Sequence, residues 1–294
     1  MLSSGRDLFK LIRPHQWVKN AFVLAGILFG HEWKDPDKLL LALAAAAAFS
    51  LISSCVYILN DIQDIEQDRQ HPKKKDRPLA RGAISVPMAA LLAAALFSMG
   101  LALALFVSKI AAALMGLYFV MNIAYSMGLK HIVILDVFII AMGFMLRILV
   151  GTVGIDIEPS EWLLFCGLMV TLFLGFTKRR AEMYVREGGG ASRAVLDHYT
   201  PLHLDIMIGV TVSCVIMSYT LYTMNERTIL IHQTENLIYT VPFVIYGLFR
   251  YVHLLHSGGG GEDTAKDLVR DPHILVTGIL WVLVTFWVLE PLAL

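Results

Sequence analysis

Residues 38–60, KLLLALAAAAAFSLISSCVYILN, decide the fold. After Lys38 the stretch carries no charge, and as an α-helix rising 1.5 Å per residue it covers about 34 Å, enough to cross the ~30 Å hydrocarbon core of a bilayer. Working outward, a charged island follows at 60–82, NDIQDIEQDRQHPKKKDRPLARG, and then another long apolar run. The whole chain repeats this alternation. Its 294 residues are 57% hydrophobic and 16% charged, with mean hydropathy +0.65. A soluble domain of this length carries about 25% charged residues. The composition excludes a soluble globular enzyme and predicts an all-α, polytopic membrane protein.

Apolar runs of about 17–25 residues predict spans near 18–31 (short), 38–60, 86–107, 110–128, 132–153, 160–177, 204–224, 236–256 and 273–290. That makes nine transmembrane helices in one domain covering 1–294, with tight hairpins around Ser108 and Lys130. The first run reads as a retained span, because MLSSGRDLFKLIRPHQWVKN is too densely charged for a signal peptide. The alanine run within 42–48 lets helices approach closely and carries no function by itself. Cys55, Cys166 and Cys214 all fall in apolar runs, so neither a disulfide framework nor zinc spacing is available.

Formal net charge is zero, yet its distribution is lopsided. With the amino terminus in the cytoplasm, nineteen of the 24 Lys and Arg residues lie on that side, four (Lys34, Lys38, Lys109, Arg227) lie opposite, and Arg147 sits inside a span. The positive-inside rule therefore predicts that the island faces the cytoplasm. The expected arrangement is an inner (cytoplasmic) membrane protein whose helices bundle around a cavity open to that face. The longer loops, 61–85, 178–203 and 257–272, share this side. Gly188–Gly190 and Gly258–Gly261 interrupt two of them as candidate hinges.

The island carries the chemistry. On a continuous helix Asp61, Asp64 and Asp68 project within about 60° of one another. Like charges so crowded call for a cation, and oxygen donors of this kind suit Mg²⁺ carrying substrate phosphates. Lys73, Lys74, Lys75, Arg77 and Arg81 follow at once, ready to meet the anionic side of the same ligand. The island predicts a metal-diphosphate site.

The pattern NDxxDxxxD, followed by HPxKxxRPLxxG, resembles the first aspartate-rich motif of the UbiA-type intramembrane prenyltransferase superfamily. RPHQWVKN (13–20), the island, YSMGLK (125–130), LDVFIIAMGFMLR (135–147) and GFTKRRAEM (175–183) together resemble the decaprenyl-phosphate phosphoribosyltransferase branch, over nearly the whole chain. The resemblance implies Mg²⁺-dependent transfer of a 5-phosphoribosyl group from phosphoribosyl diphosphate to a polyprenyl phosphate. It also implies metal and diphosphate binding by Asn60, Asp61, Asp64 and Asp68, with phosphate contacts from the matched basic residues.

Further clusters support this assignment. Lys178, Arg179, Arg180 and Glu182 stand where the wider superfamily carries a second aspartate-rich motif. Two phosphorylated substrates bring more anionic groups than one prenyl diphosphate, and arginine offers bidentate phosphate contacts. Asp136 and Arg147 lie eleven residues apart on nearly one face of the fifth span, about 16 Å apart along the axis. That spacing predicts Asp136 at the mouth and Arg147 deeper, orienting neighbouring groups or making a structural ion pair. Lys19, beside Arg13, Gln16, Trp17 and Asn20, is a candidate phosphate contact. So is Lys130, supported by Tyr125 and Ser126; Trp17 and Tyr125 also suit interfacial anchoring. Asp267 and Asp271 are spaced i, i+4, with Asp271 before Pro272 as a helix cap.

The predicted reaction is displacement at the anomeric carbon of ribose, with fixed cations stabilising the departing diphosphate. The acceptor phosphate is already anionic, so a strong base is not required. Asp68 or Glu182 could stabilise positive charge on the ring. Rival readings are a prenyltransferase joining a polyprenyl diphosphate to an aromatic or glycerol-phosphate acceptor, and a lipid or ion transporter. The basic run at 178–180 argues against the first, and charge gathered at one face rather than the midplane argues against the second. Nothing in the sequence points to nucleic acid; a homo-oligomer is left open.

Overall fold

The computed structural model describes residues 5–70, 74–187, 194–257 and 270–289, and these residues form helices and turns without a strand. Lys73, Asp267 and both candidate glycine hinges lie outside the described residues. In chain order, α1 (Gly5–Ile12) leads through a 3₁₀ segment, Pro14–Leu24, into α2 (Ala25–Phe29). Then come α3 (Pro36–Gln63), α4 (Ile65–Gln70), α5 (Val86–Val107), α6 (Lys109–Met127), α7 (Leu135–Val150) and α8 (Glu161–Glu187). The remainder is α9 (Pro201–Met224), α10 (Glu226–His232), α11 (Val241–His256) and α12 (Pro272–Leu289).

Among the described residues eight helices are long and apolar enough to cross a membrane, and they match eight of the nine predicted spans. The difference is the first. Residues 18–31 fall in the 3₁₀ segment and the five-residue α2, bounded by Arg13 and His31, both left-handed at φ 57°. A 3₁₀ helix rises about 2.0 Å per residue, so these two pieces laid end to end cover about 30 Å with fewer residues than an α-helix needs. Helix length alone thus establishes eight spans and not nine.

Local chemistry explains the helix starts. Asp35 caps α3, its carboxylate accepting from the N–H groups of Asp37 (2.9 Å) and Lys38 (3.2 Å), with Pro36 at the first helical position. Thr200 caps α9 in the same way ahead of Pro201. Asp271 caps α12 by accepting from the Ile274 N–H at 3.0 Å, and it also pairs with Arg250 of α11 at 2.7 Å.

The chain divides into two compact units, Met1–Lys130 with Gly143–Pro159, and His131–Met142 with Ser160–Leu294. The first half of α7 belongs to the second unit and its second half to the first. In the first unit α3 is central: Ala42, Ala45 and Ala48 are fully buried, and Gly100 of α5 lies so close that a Cβ there would be 3.2 Å from the Ala48 carbonyl oxygen. Small residues are what permit such an approach. Around them pack Val23, Phe49, Ile52, Met115, Leu146 and Val150. A separate cluster of Leu11, Ile58, Leu79 and Ile84 lies beneath the charged island. The second unit packs Phe173, Phe176, Leu204, Ile208, Leu255 and Ile274.

Candidate active site

The acidic island does not form one continuous helix. α3 ends at Gln63, and Asp64 leaves the helical region (φ −95°, ψ 10°) before α4 begins. Its N–H still bonds the Asn60 carbonyl at 3.0 Å, and the Asp68 N–H bonds the Asp64 carbonyl at 2.8 Å. The single acidic face expected from helical spacing is therefore broken at its middle member. Asp61 and Asp68 turn inward, 3% and 2% exposed, whereas Asp64 stays half-buried and pairs with Lys130 at 3.5 Å.

Asp61 and Asp68 converge on one cation. Arg77 Nη1 lies 3.0 Å from Asp61 Oδ1 and 2.6 Å from Asp68 Oδ2. Arg13 Nη2 donates to the same Asp61 oxygen at 2.5 Å, its guanidinium 5.4 Å above the Tyr57 ring. Two buried carboxylates thus face two guanidinium groups. Residues 74–84 form a turn that fixes Arg77. Pro78, Leu79, Ala80 and Ile84 are buried, and Arg69 Nε bonds the Ala80 carbonyl at 3.1 Å. The Arg81 N–H bonds the Arg77 carbonyl at 3.0 Å, and Gly82 takes the positive φ of 74° that closes the turn. Arg81 points away from the carboxylates, pairing with Asp7 of α1.

Asn60 Oδ1 accepts from Ser126 Oγ at 2.5 Å, and Gln63 Nε2 donates to the Ser126 carbonyl at 3.2 Å, which ties the end of α3 to the end of α6. Tyr125 is partly buried beside this contact. Among the described residues no group of three or more His, Cys, Asp or Glu side chains is gathered closely enough to hold a metal, so the expected four-residue ligand set is not assembled. The pair is a different matter. Mg²⁺ is commonly held by one or two carboxylates with substrate phosphates completing its shell, and two buried carboxylate oxygens already meeting on one cationic nitrogen fit that role.

Deeper in the first unit, Asn20 is buried, donating to Ser50 Oγ at 2.8 Å and accepting from Arg147 Nε at 2.9 Å. Arg147, 4% exposed, also donates to the Gly143 carbonyl (2.7 Å) and the Tyr118 hydroxyl (3.3 Å). The rings of Phe49, Tyr118 and Phe144 surround its guanidinium at 4.5, 4.9 and 5.2 Å. Among the described residues no carboxylate pairs with it; its charge is met by dipoles and π faces. Trp17 Nε1 bonds Ser54 Oγ at 3.0 Å, and Lys19 is exposed on the same 3₁₀ segment.

The second unit holds the other basic cluster. Asp136, at the start of α7, accepts from Arg179 Nε at 2.6 Å and from the Tyr199 hydroxyl at 3.0 Å. Arg179 Nη1 donates to Glu182 at 2.6 Å. Burial, reinforced by the adjacent Asp136 carboxylate, pushes the Tyr199 phenol up to about 12. The hydroxyl therefore stays protonated as a donor. With Arg179 1% exposed and Asp136 fully buried, this is an internal ion pair, so the phosphate contact expected of Arg179 gives way to a structural role. Asp136 likewise serves Arg179, and among the described residues it shares no partner with Arg147. Arg180 is different: Nε donates to Asp205 at 2.9 Å and the guanidinium lies 4.2 Å above the Tyr184 ring. Its buried Nη1 has no partner among the described residues. Lys178 is partly exposed beside it.

Sequence reasoning placed Arg13 only at the membrane entry and missed it as a partner of Asp61, although it opens the RPHQWVKN segment. It also missed Asp205 and Tyr199, for which no local motif gives a signal.

The model of the UbiA prenyltransferase family matches residues 20–270. A decaprenyl-phosphate phosphoribosyltransferase from Corynebacterium glutamicum is 34% identical over 94% of this chain and 84% of its own. One from Mycolicibacterium smegmatis is 32% identical over 94% and 90%. In fold the chain is similar to a UbiA homolog from Archaeoglobus fulgidus solved bound to GPP and Mg²⁺, with a TM-score of 0.69 at 18% identity, covering 94% of this chain and 96% of that one.

Proposed function

The chain belongs to the UbiA prenyltransferase family, and from that premise we propose that it transfers a 5-phosphoribosyl group from phosphoribosyl diphosphate to a polyprenyl phosphate, releasing diphosphate. The observation that carries this choice within the family is the likeness, over 94% of the chain, to relatives named for that activity. The basic run at 178–180, where a prenyltransferase is expected to be acidic, supports it. Arg180, paired with the partly exposed Asp205 rather than with the fully buried Asp136 that holds Arg179, is the member of that run best suited to a phosphate oxygen, together with Lys178.

In the reaction the bond from ribose C1 to the diphosphate oxygen breaks and its electron pair leaves with the diphosphate. A bond forms from C1 to an oxygen of the lipid phosphate. Asp61 and Asp68 would hold the metal, Mg²⁺ in this reading, which when bound supplies positive charge to the leaving diphosphate. Arg77 and Arg13, at 2.5–3.0 Å from those carboxylates, are positioned to contact the diphosphate as its charge develops. Lys130 and Lys19 offer further cations in the first unit. Because the acceptor oxygen is anionic at neutral pH, no side chain has to remove a proton. The charge bias along the sequence supports a cell-membrane location with the island on the cytoplasmic side.

The test is turnover by the purified chain in detergent with Mg²⁺, polyprenyl phosphate and labelled phosphoribosyl diphosphate. Labelled lipid is the expected product. Asp61→Asn and Asp68→Asn should each lower the rate by at least about 100-fold while leaving thermal unfolding near that of the parent. No labelled lipid, together with prenylation of an aromatic acid, overturns the assignment.

A further inference from the structure

We propose that Arg77 is a place-holding cation which makes metal binding depend on the diphosphate, so that the two enter this site together. The inference rests on the assignment of Asp61 and Asp68 as the metal-holding pair. A single nitrogen, Arg77 Nη1, bridges the two carboxylates at 3.0 and 2.6 Å, and both carboxylates are almost fully buried. That nitrogen occupies the place where a bridging cation meets the pair. Arg13 supplies a second positive charge to the same Asp61 oxygen, and Lys74 a weaker contact to Asp68 at 4.0 Å. The two buried negative charges are therefore already balanced by two guanidinium groups.

A divalent ion entering alone must displace Arg77 from both oxygens and then sit beside the displaced guanidinium, and neither change is offset. An ion entering with diphosphate brings the displaced guanidinium a new acceptor, and charge-assisted hydrogen bonds from arginine to phosphate are among the strong ones. Arg77 can make this exchange. Its side chain is 28% exposed, and the backbone beneath it is anchored by the buried Leu79 and Ile84, so the head group can move while its root stays fixed. Arg13 is less free, because its guanidinium is stacked over Tyr57.

Binding of Mn²⁺, a spectroscopic substitute for Mg²⁺, read by electron paramagnetic resonance on the purified full chain in detergent, tests the exchange without turnover. At matched free Mn²⁺, inorganic diphosphate should tighten Mn²⁺ binding to the parent protein by tenfold or more. Linkage requires Mn²⁺ to tighten diphosphate binding by the same factor. Arg77→Gln should bind Mn²⁺ alone about tenfold more tightly than the parent and lose most of the enhancement, whereas Arg77→Lys should keep weak binding of the free metal. A parent protein with no diphosphate enhancement overturns the proposal even if no variant folds. So does an Arg77→Gln protein whose affinity for Mn²⁺ alone is unchanged or weaker. Asp68→Asn separates the two levels: Mn²⁺ binding abolished by Asp68→Asn but unmoved by Arg77→Gln sinks the place-holder alone. Binding that survives Asp68→Asn unchanged sinks the metal assignment with it.

Discussion

Asp136 and Arg179 show how a charged residue named by a motif acquires a different task from its partners. Both sit in segments resembling an enzyme family, and both are enclosed, with their ion pair at 2.6 Å and almost no exposure. Removing one member of such a pair leaves the other charge stranded, which costs about 3–5 kcal/mol, whereas replacing both with apolar groups of similar volume is often neutral. Asp136→Ala should therefore lower the stability of the detergent-solubilised protein by about 3 kcal/mol, with Glu182 still offering Arg179 one carboxylate. The double variant Asp136→Leu, Arg179→Met should recover most of that loss. Thermal unfolding decides: a double variant no more stable than Asp136→Ala would mean that lost packing, not a stranded charge, sets the cost. This pair was not legible in the sequence, because its members are 43 residues apart and each was read by the nearest charged neighbour along its own helix.

At the scale of elements, the 3₁₀ segment Pro14–Leu24 matters most to the candidate site. It starts at Arg13, which touches Asp61, and carries Asn20, which accepts from Arg147. Two glycines hold it in place. A Cβ at Gly151 would fall 1.6 Å from the Val23 carbonyl oxygen, and one at Gly26 would fall 1.8 Å from the Gly151 carbonyl oxygen. Backbone presses on backbone there, so no rotamer change relieves the clash. Gly151→Ala should displace the segment and with it Arg13, lowering turnover and the unfolding temperature together. Gly116→Ala on α6, where a Cβ meets nothing within 4 Å, should leave both nearly unchanged. If the Gly151 variant keeps parental stability and turnover, the segment is not anchored in this way. The apolar runs revealed eight helices because twenty apolar residues in a row have few other outcomes. They marked 18–31 as a short span but did not reveal its form, since a 3₁₀ course and a glycine contact across 128 positions leave no periodic trace. The same holds for the break at Asp64: helical spacing put three aspartates on one face, and the structure keeps only Asp61 and Asp68 together, through an arginine that spacing alone could not select.

Across the whole molecule, a net charge of zero conceals the feature that orients it in the membrane. α3 has 28 residues and is about 42 Å long, more than the ~30 Å of the hydrocarbon core, so its two ends must emerge on opposite sides. At its start stand Lys34 and Lys38, offset by Glu32, Asp35 and Asp37; beyond its end stand Arg69, Lys74, Lys75, Arg77 and Arg81. Because basic residues are retained on the cytoplasmic side and acidic ones count for little, the Lys75 end should face the cytoplasm, where a soluble phosphoribosyl donor is available. Single cysteines introduced at the exposed positions Asp37 and Lys75, in a background lacking Cys55, Cys166 and Cys214, report on this directly. In sealed right-side-out vesicles a membrane-impermeant maleimide should modify Asp37→Cys and spare Lys75→Cys. In inverted vesicles the pattern should reverse. Labelling of Lys75→Cys from outside would place the carboxylate pair on the wrong side for a cytoplasmic donor and would remove phosphoribosyl diphosphate as the substrate, whatever the chemistry of the site allows.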